Sequence, residues 1–189
     1  MSTAQRGSGA ALLDALAWPN VIGKRCLAVG SHGGDVQAAL EARGAASVDV
    51  VEDARQLSVG APFDLTVGWG VVSGSDSPLA SARAVHAHTR GLFVSVEPVD
   101  LVLTFVARPW PLMRLVNGAG PRPFSMNGRA HHRLLGAAGF TVERPSAIIT
   151  VDDFDGDRPG GAFGRLLTRV LARPGGGVPH RALVARARA

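Results

Sequence analysis

Apolar and polar positions along the chain follow two patterns, short apolar runs and longer stretches with an apolar face at helical spacing. The first pattern predicts buried strands and the second predicts amphipathic helices. Strands are predicted at "RCLAVG", "ASVDVVE", "FDLTVGWGVV", "LFVSVEPV", "TVERPSAIITV" and "HRALVARA". Helices are predicted at "ALLDALA", "GDVQAALEARG", "SPLASARAVHAHTRG", "MNGRAHHRLLGAAGF" and "GAFGRLLTRVLAR".

Small and polar residues mark the expected ends of three of these helices. Gly44 lies where a left-handed C-terminal cap belongs, and Ser77 is a candidate N-cap with Gly91 after the end of its helix. Asn127 lies near the start of the next helix and Gly139 lies past its end. These residues predict where the chain turns between elements.

The alternation of strands and helices predicts an α/β fold, because strand–helix–strand units imply parallel pairing with right-handed crossovers. We expect a Rossmann-like open sheet of about six strands with helices on both faces. The length of 189 residues fits a single domain spanning 1–189, with a flexible start at 1–10. Ligands of such sheets bind beyond the carboxyl ends of the strands.

Composition narrows the function classes. The net charge is +5, but the arginines are scattered and only 5% of residues are aromatic, so a base-stacking platform is not expected and nucleic-acid binding is disfavoured. No stretch approaches about 18 consecutive apolar residues, so no membrane span is expected, and no signal peptide is evident. Cys26, the one cysteine, excludes an internal disulfide and favours a cytoplasmic location.

The loop after the first strand reads Gly30-Ser31-His32-Gly33-Gly34-Asp35. It departs from the dinucleotide fingerprint, because His32 replaces the second glycine and Asp35 places negative charge at the helix N-terminus, where it opposes a phosphate. No lysine follows as in a phosphate-binding P-loop. The histidines and the cysteine lack metal-ligand spacing, so no metal site is expected.

A cofactor without phosphate fits this loop better. S-adenosylmethionine needs a tight glycine turn after the first strand and an acid at the end of the second strand for its ribose hydroxyls. Glu52 is placed for that role, 22 residues after Gly30, and Asp53 is its neighbour on the opposite side of the strand. The plainer alternative for Glu52 is an ordinary charge at a strand end.

Several motifs resemble class I S-adenosylmethionine-dependent methyltransferases over roughly residues 20–188. "GKRCLAVGSHGGDVQAALEARGAASVDVVE" resembles their first motifs, and "FDLTVGWGVVSGSDSPLASARAVH" resembles their fourth strand and its helix. "GLFVSVEPV", "SMNGRAHHRLLGAAGFTVER" and "GVPHRALVARA" are similar to their later elements. The resemblance implies S-adenosylmethionine as cofactor and a small-molecule substrate covered by residues 100–128. The implied cofactor-binding residues are Gly30, Ser31, His32, Gly33, Gly34, Glu52, Asp53, Gly68 and Trp69.

Three departures from that family affect the expected site. Ala28 stands where the family has an acid, and His32 replaces a glycine whose positive φ a histidine adopts less readily. Only ten residues separate Glu52 from Phe63, too few for a helical crossover and a third strand. We therefore expect a sheet without that strand, and "SVDVVE" as a new edge. The loss also removes one wall of the adenine pocket.

Two functions remain open from the sequence. One is S-adenosylmethionine-dependent methyl transfer to a small molecule, with no catalytic residue assigned. The other is a cofactor-free homologue that serves as a binding or structural subunit and forms a homodimer through its exposed sheet edge. Non-methyl chemistry on the same fold is a third possibility. Trp69 is interpreted as core, and Glu97 either orients a substrate, acts as a base or is a plain strand-end charge.

Overall fold

The computed structural model describes residues 19–30, 32–58, 60–100, 103–104, 110–115, 124–151 and 178–188. The expected helices at 11–17 and 161–173 and the flexible start at 1–10 lie outside these residues. The described strands are β1 (Arg25–Gly30), β2 (Ser47–Val51), β3 (Phe63–Trp69), β4 (Thr89–Pro98), β5 (Met113–Leu115), β6 (Phe124–Met126), β7 (Phe140–Val151) and β8 (Val178–Ala187). The described helices are α1 (Gly33–Glu41), α2 (Pro78–His88) and α3 (Gly128–Ala137).

Six strands form one mixed sheet in the order β2-β1-β3-β4-β8-β7. The first four strands of this order pair in parallel, and β8 runs antiparallel to both β4 and β7. The predicted six-stranded Rossmann-like sheet is confirmed. The short strands β5 and β6 form a separate two-stranded sheet, which the pattern of the sequence did not predict.

The shortened segment after β2 contains no strand. Between Val51 and Phe63 the described residues form only a 3-10 helix over Ala54–Gln56. As a result β2 pairs with β1 and with no other described strand, so it is the edge of this half of the sheet. The expected loss of the third strand and its crossover is confirmed.

The central strands of the sheet are buried on both faces, as expected for parallel strands covered by helices. On one face Ala28 and Trp69 join Val36 and Leu40 of α1 in one apolar cluster. The other face carries a second cluster from β1, β4, α2 and α3. Its largest buried members include Leu27, Phe93, Met126, Leu135 and Phe140. Ala28 therefore lies in the core, below the carboxyl ends of the strands.

The predicted ends of α1 and α3 are confirmed. After α1 the chain forms a Schellman turn, in which Gly44 N–H donates to Glu41 O and Ala45 N–H donates to Leu40 O while Gly44 takes φ +83°. Asn127 caps α3 with its side-chain oxygen, 2.9 Å from the amide nitrogen of Ala130.

Two predicted boundary residues act differently. Ser77 is the N-cap of α2, but its side chain forms no capping bond. Gly91 does not follow a helix end, because α2 passes directly into β4 at Thr89. A β-carbon on Gly91 would collide with the backbone carbonyl of Asp64, beside the register shift between β3 and β4. Glycine is needed there for close strand approach.

Candidate functional site

The carboxyl ends of β1 and β2 form the rim where a ligand is expected. Val29 of β1 is paired with Val51 of β2, so Gly30 and Glu52 follow side by side as the strands end. Gly30 takes φ +103°, and a β-carbon there would collide with the carbonyl oxygen of Trp69. Only glycine makes this turn without strain, and the turn leads directly into α1.

His32 lies between the turn and α1 with ordinary backbone geometry. Its φ is −112° and its ψ is 29°, so the backbone strain expected from replacing a glycine here is absent. Its ring lies against Trp69, with centroids 4.8 Å apart. Its Nδ1 lies 3.9 Å from the carboxylate of Asp35. The imidazole thus covers one side of the indole at the start of the helix.

The two glycines that open α1 have different surroundings. A β-carbon on Gly33 would collide with the side chain of Val50, so this glycine lets α1 pack closely on the edge strand. Among the described residues, no neighbouring atom lies within 4 Å of the corresponding position on Gly34. The space beside Gly34 is therefore open. Ser31, also expected to bind the cofactor, lies outside the described residues.

The two acids at the end of β2, Glu52 and Asp53, differ in their hydrogen bonding. Glu52 is exposed and forms no hydrogen bond or ion pair with any residue that the structure describes. Asp53 accepts hydrogen bonds from the backbone and the guanidinium of Arg55. The side-chain bond from Arg55 is the main cause that lowers the pKa of Asp53. Glu52 is therefore the acid available to a ligand.

Arg55 is a structural residue that the sequence analysis did not single out. Besides Asp53, its guanidinium binds the carboxylate of Asp76 at 2.8 Å, next to the start of α2. The arginine thus ties the short turn that replaces the missing crossover to the neighbouring helix. Its spacing of two residues from Asp53 was the available signal, since Asp side chains often accept a bond from the backbone two residues on.

Gly68 and Trp69 lie beneath the rim. Trp69 is fully buried, which confirms its interpretation as core, and it packs between His32 and His180, whose ring centroid is 5.6 Å away. The indole nitrogen is buried and has no hydrogen-bond partner among the described residues. A β-carbon on Gly68 would collide with Phe93 and Val71 on the opposite face.

Glu97 has a structural task at the end of β4. The side chain is fully buried, and its two oxygens accept the backbone N–H groups of Val72 and Ser73 at 2.9 and 3.0 Å. These contacts fix the turn that follows β3. The structure favours neither of the two functional roles considered for Glu97, a catalytic base or a substrate-orienting residue, because both of its carboxylate oxygens already accept backbone hydrogen bonds.

A buried Ser95–His131 pair joins β4 to α3. Ser95 Oγ and His131 Nε2 are 2.8 Å apart, and both residues are buried. Burial, with smaller effects from Arg181 and His132, lowers the pKa of His131 to about 3. The adjacent His132 is exposed. The pair is a core hydrogen bond without access to solvent.

Asn127 organises the chain that follows β4. Its side-chain nitrogen donates to the carbonyls of Trp110 and Leu103 at 2.8 and 3.3 Å, while its oxygen also accepts from Leu112 N–H. Trp110 is 67% exposed and Leu112 is 39% exposed. Val99, just past the end of β4, forms a β-bridge with Met126, the residue before Asn127. The apolar surface held by Asn127 therefore lies just past the end of β4.

Among the described residues, no group of histidine, cysteine and acidic side chains is arranged to hold a metal ion. No described helix has the length and apolarity that a membrane crossing requires.

Solved structures identify the fold, although no family model and no curated protein matches the sequence. An S-adenosylmethionine-dependent methyltransferase from Mesorhizobium loti aligns over 93% of this chain and 95% of its own, at 18% identity and a TM-score of 0.56. The chain has a class I methyltransferase-like fold. A Haloferax volcanii complex of the Trm112 activator and a putative methyltransferase aligns over 97% and 90%, at 12% identity and a TM-score of 0.61.

A third methyltransferase-like structure holds a ligand. Magnesium protoporphyrin IX methyltransferase from Synechocystis PCC 6803, with bound S-adenosylhomocysteine, aligns over 96% of this chain and 80% of its own. The identity is 16% and the TM-score is 0.56. Within the methyltransferase-like fold of the present chain, Gly30, Gly33, Gly34 and Glu52 meet at one rim, whereas Trp69 lies below it.

Proposed function

We propose that the protein is an S-adenosylmethionine-dependent methyltransferase that acts on a small molecule. One observation carries the proposal. The left-handed turn at Gly30 brings the open start of α1 beside Glu52, an exposed carboxylate without a partner among the described residues. A helix N-terminus and a free acid at adjacent strand ends are the two groups that the amino-acid end and the ribose of this cofactor require.

The residues of the rim fit the two ends of the cofactor. The first N–H groups of a helix have no intrahelical acceptor, so those of Gly33 and Gly34 are available to the carboxylate of the methionine end. The open space beside Gly34 leaves room for it. The carboxylate of Glu52 accepts hydrogen bonds from the ribose hydroxyls. When bound, the cofactor supplies an electrophilic methyl group.

The chain's own contribution to methyl transfer is to hold the acceptor in line, which needs no catalytic base. The exposed apolar surface at Trp110 and Leu112 lies past the end of β4 and supports an apolar small-molecule acceptor. Asn127 fixes this segment by three side-chain hydrogen bonds, to Leu103, Trp110 and Leu112. We place the methyl acceptor against residues 100–128, as expected from the sequence. A cytoplasmic location stays a prediction from the lone cysteine.

Calorimetric titration with S-adenosylhomocysteine tests the proposal. The wild-type protein is expected to bind with micromolar affinity, and Glu52→Ala is expected to weaken binding at least about tenfold, since it removes hydrogen bonds to a charged group. Glu41→Ala is the matched control, because Glu41 is another exposed carboxylate at the far end of α1. No heat up to millimolar ligand would contradict the proposal.

A second candidate function is a cofactor-free binding or structural subunit. Two contacts favour it: the His32 ring packs on Trp69 within the glycine turn, and Arg55 ties the short segment after β2 to Asp76. His32→Gly separates the two functions in the same titration. Binding that appears only in this variant supports the cofactor-free subunit, whereas equal binding by the wild type supports the methyltransferase.

A further inference from the structure

The start of α1 presents an electrostatic conflict to the proposed cofactor. The carboxylate of the methionine end approaches the N–H groups of Gly33 and Gly34, but Asp35 lies in the first turn of the same helix and its side chain is 49% exposed. Glu52, at the adjacent strand end, is a second exposed carboxylate. Like charges at this separation oppose the incoming anion. A compensating positive charge is therefore needed at the rim.

The arginine of the rim is already committed to other acids. The two segments that form the rim, 30–36 and 51–57, contain no lysine and one arginine, Arg55. Its guanidinium binds the carboxylates of Asp53 and Asp76 at 2.7 and 2.8 Å. The remaining residue of these segments that can carry a positive charge is His32.

His32 is held at the point where the carboxylate would bind. It is the N-cap residue of α1, and its carbonyl accepts the N–H of Val36 at 3.0 Å, so its backbone is fixed by the helix. The imidazole is 21% exposed, with Nδ1 3.9 Å from the carboxylate of Asp35. The ring therefore lies beside the opposing charge and remains accessible from solvent.

The groups around His32 act on its charged form in both directions. Asp35 and Glu52 attract a positive imidazolium, and so does the face of Trp69, 4.8 Å away between centroids, whereas the helix N-terminus opposes it. His180 of β8 lies on the other side of the indole, 5.6 Å from it between centroids. Because histidine ordinarily exchanges its proton near pH 6.5, one further negative charge shifts this balance at physiological pH.

We propose that His32 takes up a proton from solvent when the cofactor binds, and that the imidazolium compensates Asp35 and holds the methionine carboxylate at the start of α1. The inference rests on the proposed function and adds to it a coupling between cofactor binding and pH. By linkage, a ligand that favours the protonated histidine binds more tightly as the pH falls. The coupling explains how a loop with an acid at its helix start accepts an anionic group.

Calorimetric titration with S-adenosylhomocysteine in two buffers of different ionisation enthalpy, phosphate and Tris, measures the proton uptake. At pH 7 we expect the uptake of about 0.3 to 0.5 proton, which corresponds to about three- to tenfold tighter binding by the protonated than by the neutral protein. The dissociation constant is expected to be at least about twofold lower at pH 6 than at pH 8.5. Circular dichroism at both pH values is the folding control.

Two variants and one ligand analogue assign the proton. His32→Asn keeps a favoured N-cap residue but cannot titrate, so it is expected to bind without proton uptake and equally at both pH values. His132→Gln removes an exposed histidine of α3, which packs on the other face of the sheet, and should retain the uptake. 5′-Methylthioadenosine lacks the amino-acid end, and its binding to the wild type should take up no proton.

The outcomes separate this inference from the proposed function. Binding of S-adenosylhomocysteine without proton uptake, or with an uptake that persists in His32→Asn, would overturn the role of His32 and leave the methyltransferase proposal standing. Uptake of the same size with 5′-methylthioadenosine would also overturn it, because the proton would then not depend on the carboxylate. No heat at either pH would contradict the methyltransferase proposal itself, and this inference with it.

Discussion

At the scale of single residues, the rim depends on glycines with different requirements. Glycine is required at position 30 both for the positive φ and because a β-carbon would collide there. At position 33 it is required only because a β-carbon would collide with Val50, and at position 34 neither reason applies. His32 shows the same distinction, because its φ of −112° suits any residue. A glycine motif in a sequence does not reveal which of its positions are conformationally required.

The buried histidine predicts an acid-sensitive core. Because the folded-state pKa of His131 is about 3 and that of an unfolded histidine is about 6.5, the unfolded chain binds the proton first. The free energy of unfolding should therefore fall as the pH is lowered from about 6.5 toward 3. The stabilising effect of a neutral His131 is fully present only above this range.

Urea unfolding at a series of pH values checks this prediction. His131→Gln is expected to be less stable at neutral pH, because it alters the buried pair with Ser95, but to lose less stability on acidification than the wild type. His132→Gln is the control, since His132 is exposed and has only a small effect on the pKa of His131, so most of the acid sensitivity should remain. Equal acid sensitivity in wild type and His131→Gln would contradict the account.

Side-chain contacts between distant segments could not be predicted from the sequence. The position of Glu52 followed from counting along β1, α1 and β2, which are local elements. The contacts of Ser95 with His131 and of Glu97 with the turn after β3 join residues 36 and about 25 positions apart. Their partners depend on how the helices pack on the sheet, and no spacing in the sequence encodes that packing.

At the scale of elements, Asn127 has two roles that a substitution can separate: it caps α3 and it donates hydrogen bonds to Trp110 and Leu103. Asn127→Asp keeps an oxygen that accepts the cap bond from Ala130 but removes the donor to Trp110 and Leu103. We expect amide hydrogen exchange in residues 110–113 to accelerate while the Ala130 amide of α3 stays protected.

Asn127→Ala is the comparison variant for this experiment. It removes the cap as well and should destabilise the protein by about 1–3 kcal/mol. Exchange at residues 110–113 that is unchanged in both variants would show that Asn127 does not hold this segment.

Elements with a strong local pattern were predictable, and short ones were not. The strands of the main sheet follow the apolar runs closely, and the ends of α1 and α3 follow their glycines and Asn127. Strands β5 and β6 have three residues each and exist only by pairing with one another. Gly91 was misassigned because a glycine required by close strands looks the same in a sequence as one that ends a helix.

At the scale of the whole molecule, the length of the segment between β2 and β3 predicted the architecture more firmly than any motif. Ten residues between Glu52 and Phe63 cannot hold a crossover and a strand, and the structure accordingly has β2 at the edge. The same deletion leaves only a short turn, held by Arg55, beside the end of β2. The fold could therefore be predicted from the sequence, whereas cofactor binding depends on details of this rim.

Nuclear magnetic resonance of the 15N-labelled protein, titrated with S-adenosylhomocysteine, tests the central claim most directly. Backbone amide shifts are expected at Gly30, Gly33, Gly34 and Glu52, while Gly139, which precedes β7 at the other end of the sheet, should stay unchanged. Spectra without shifts at millimolar ligand, or with shifts confined to residues away from the rim, would contradict the account.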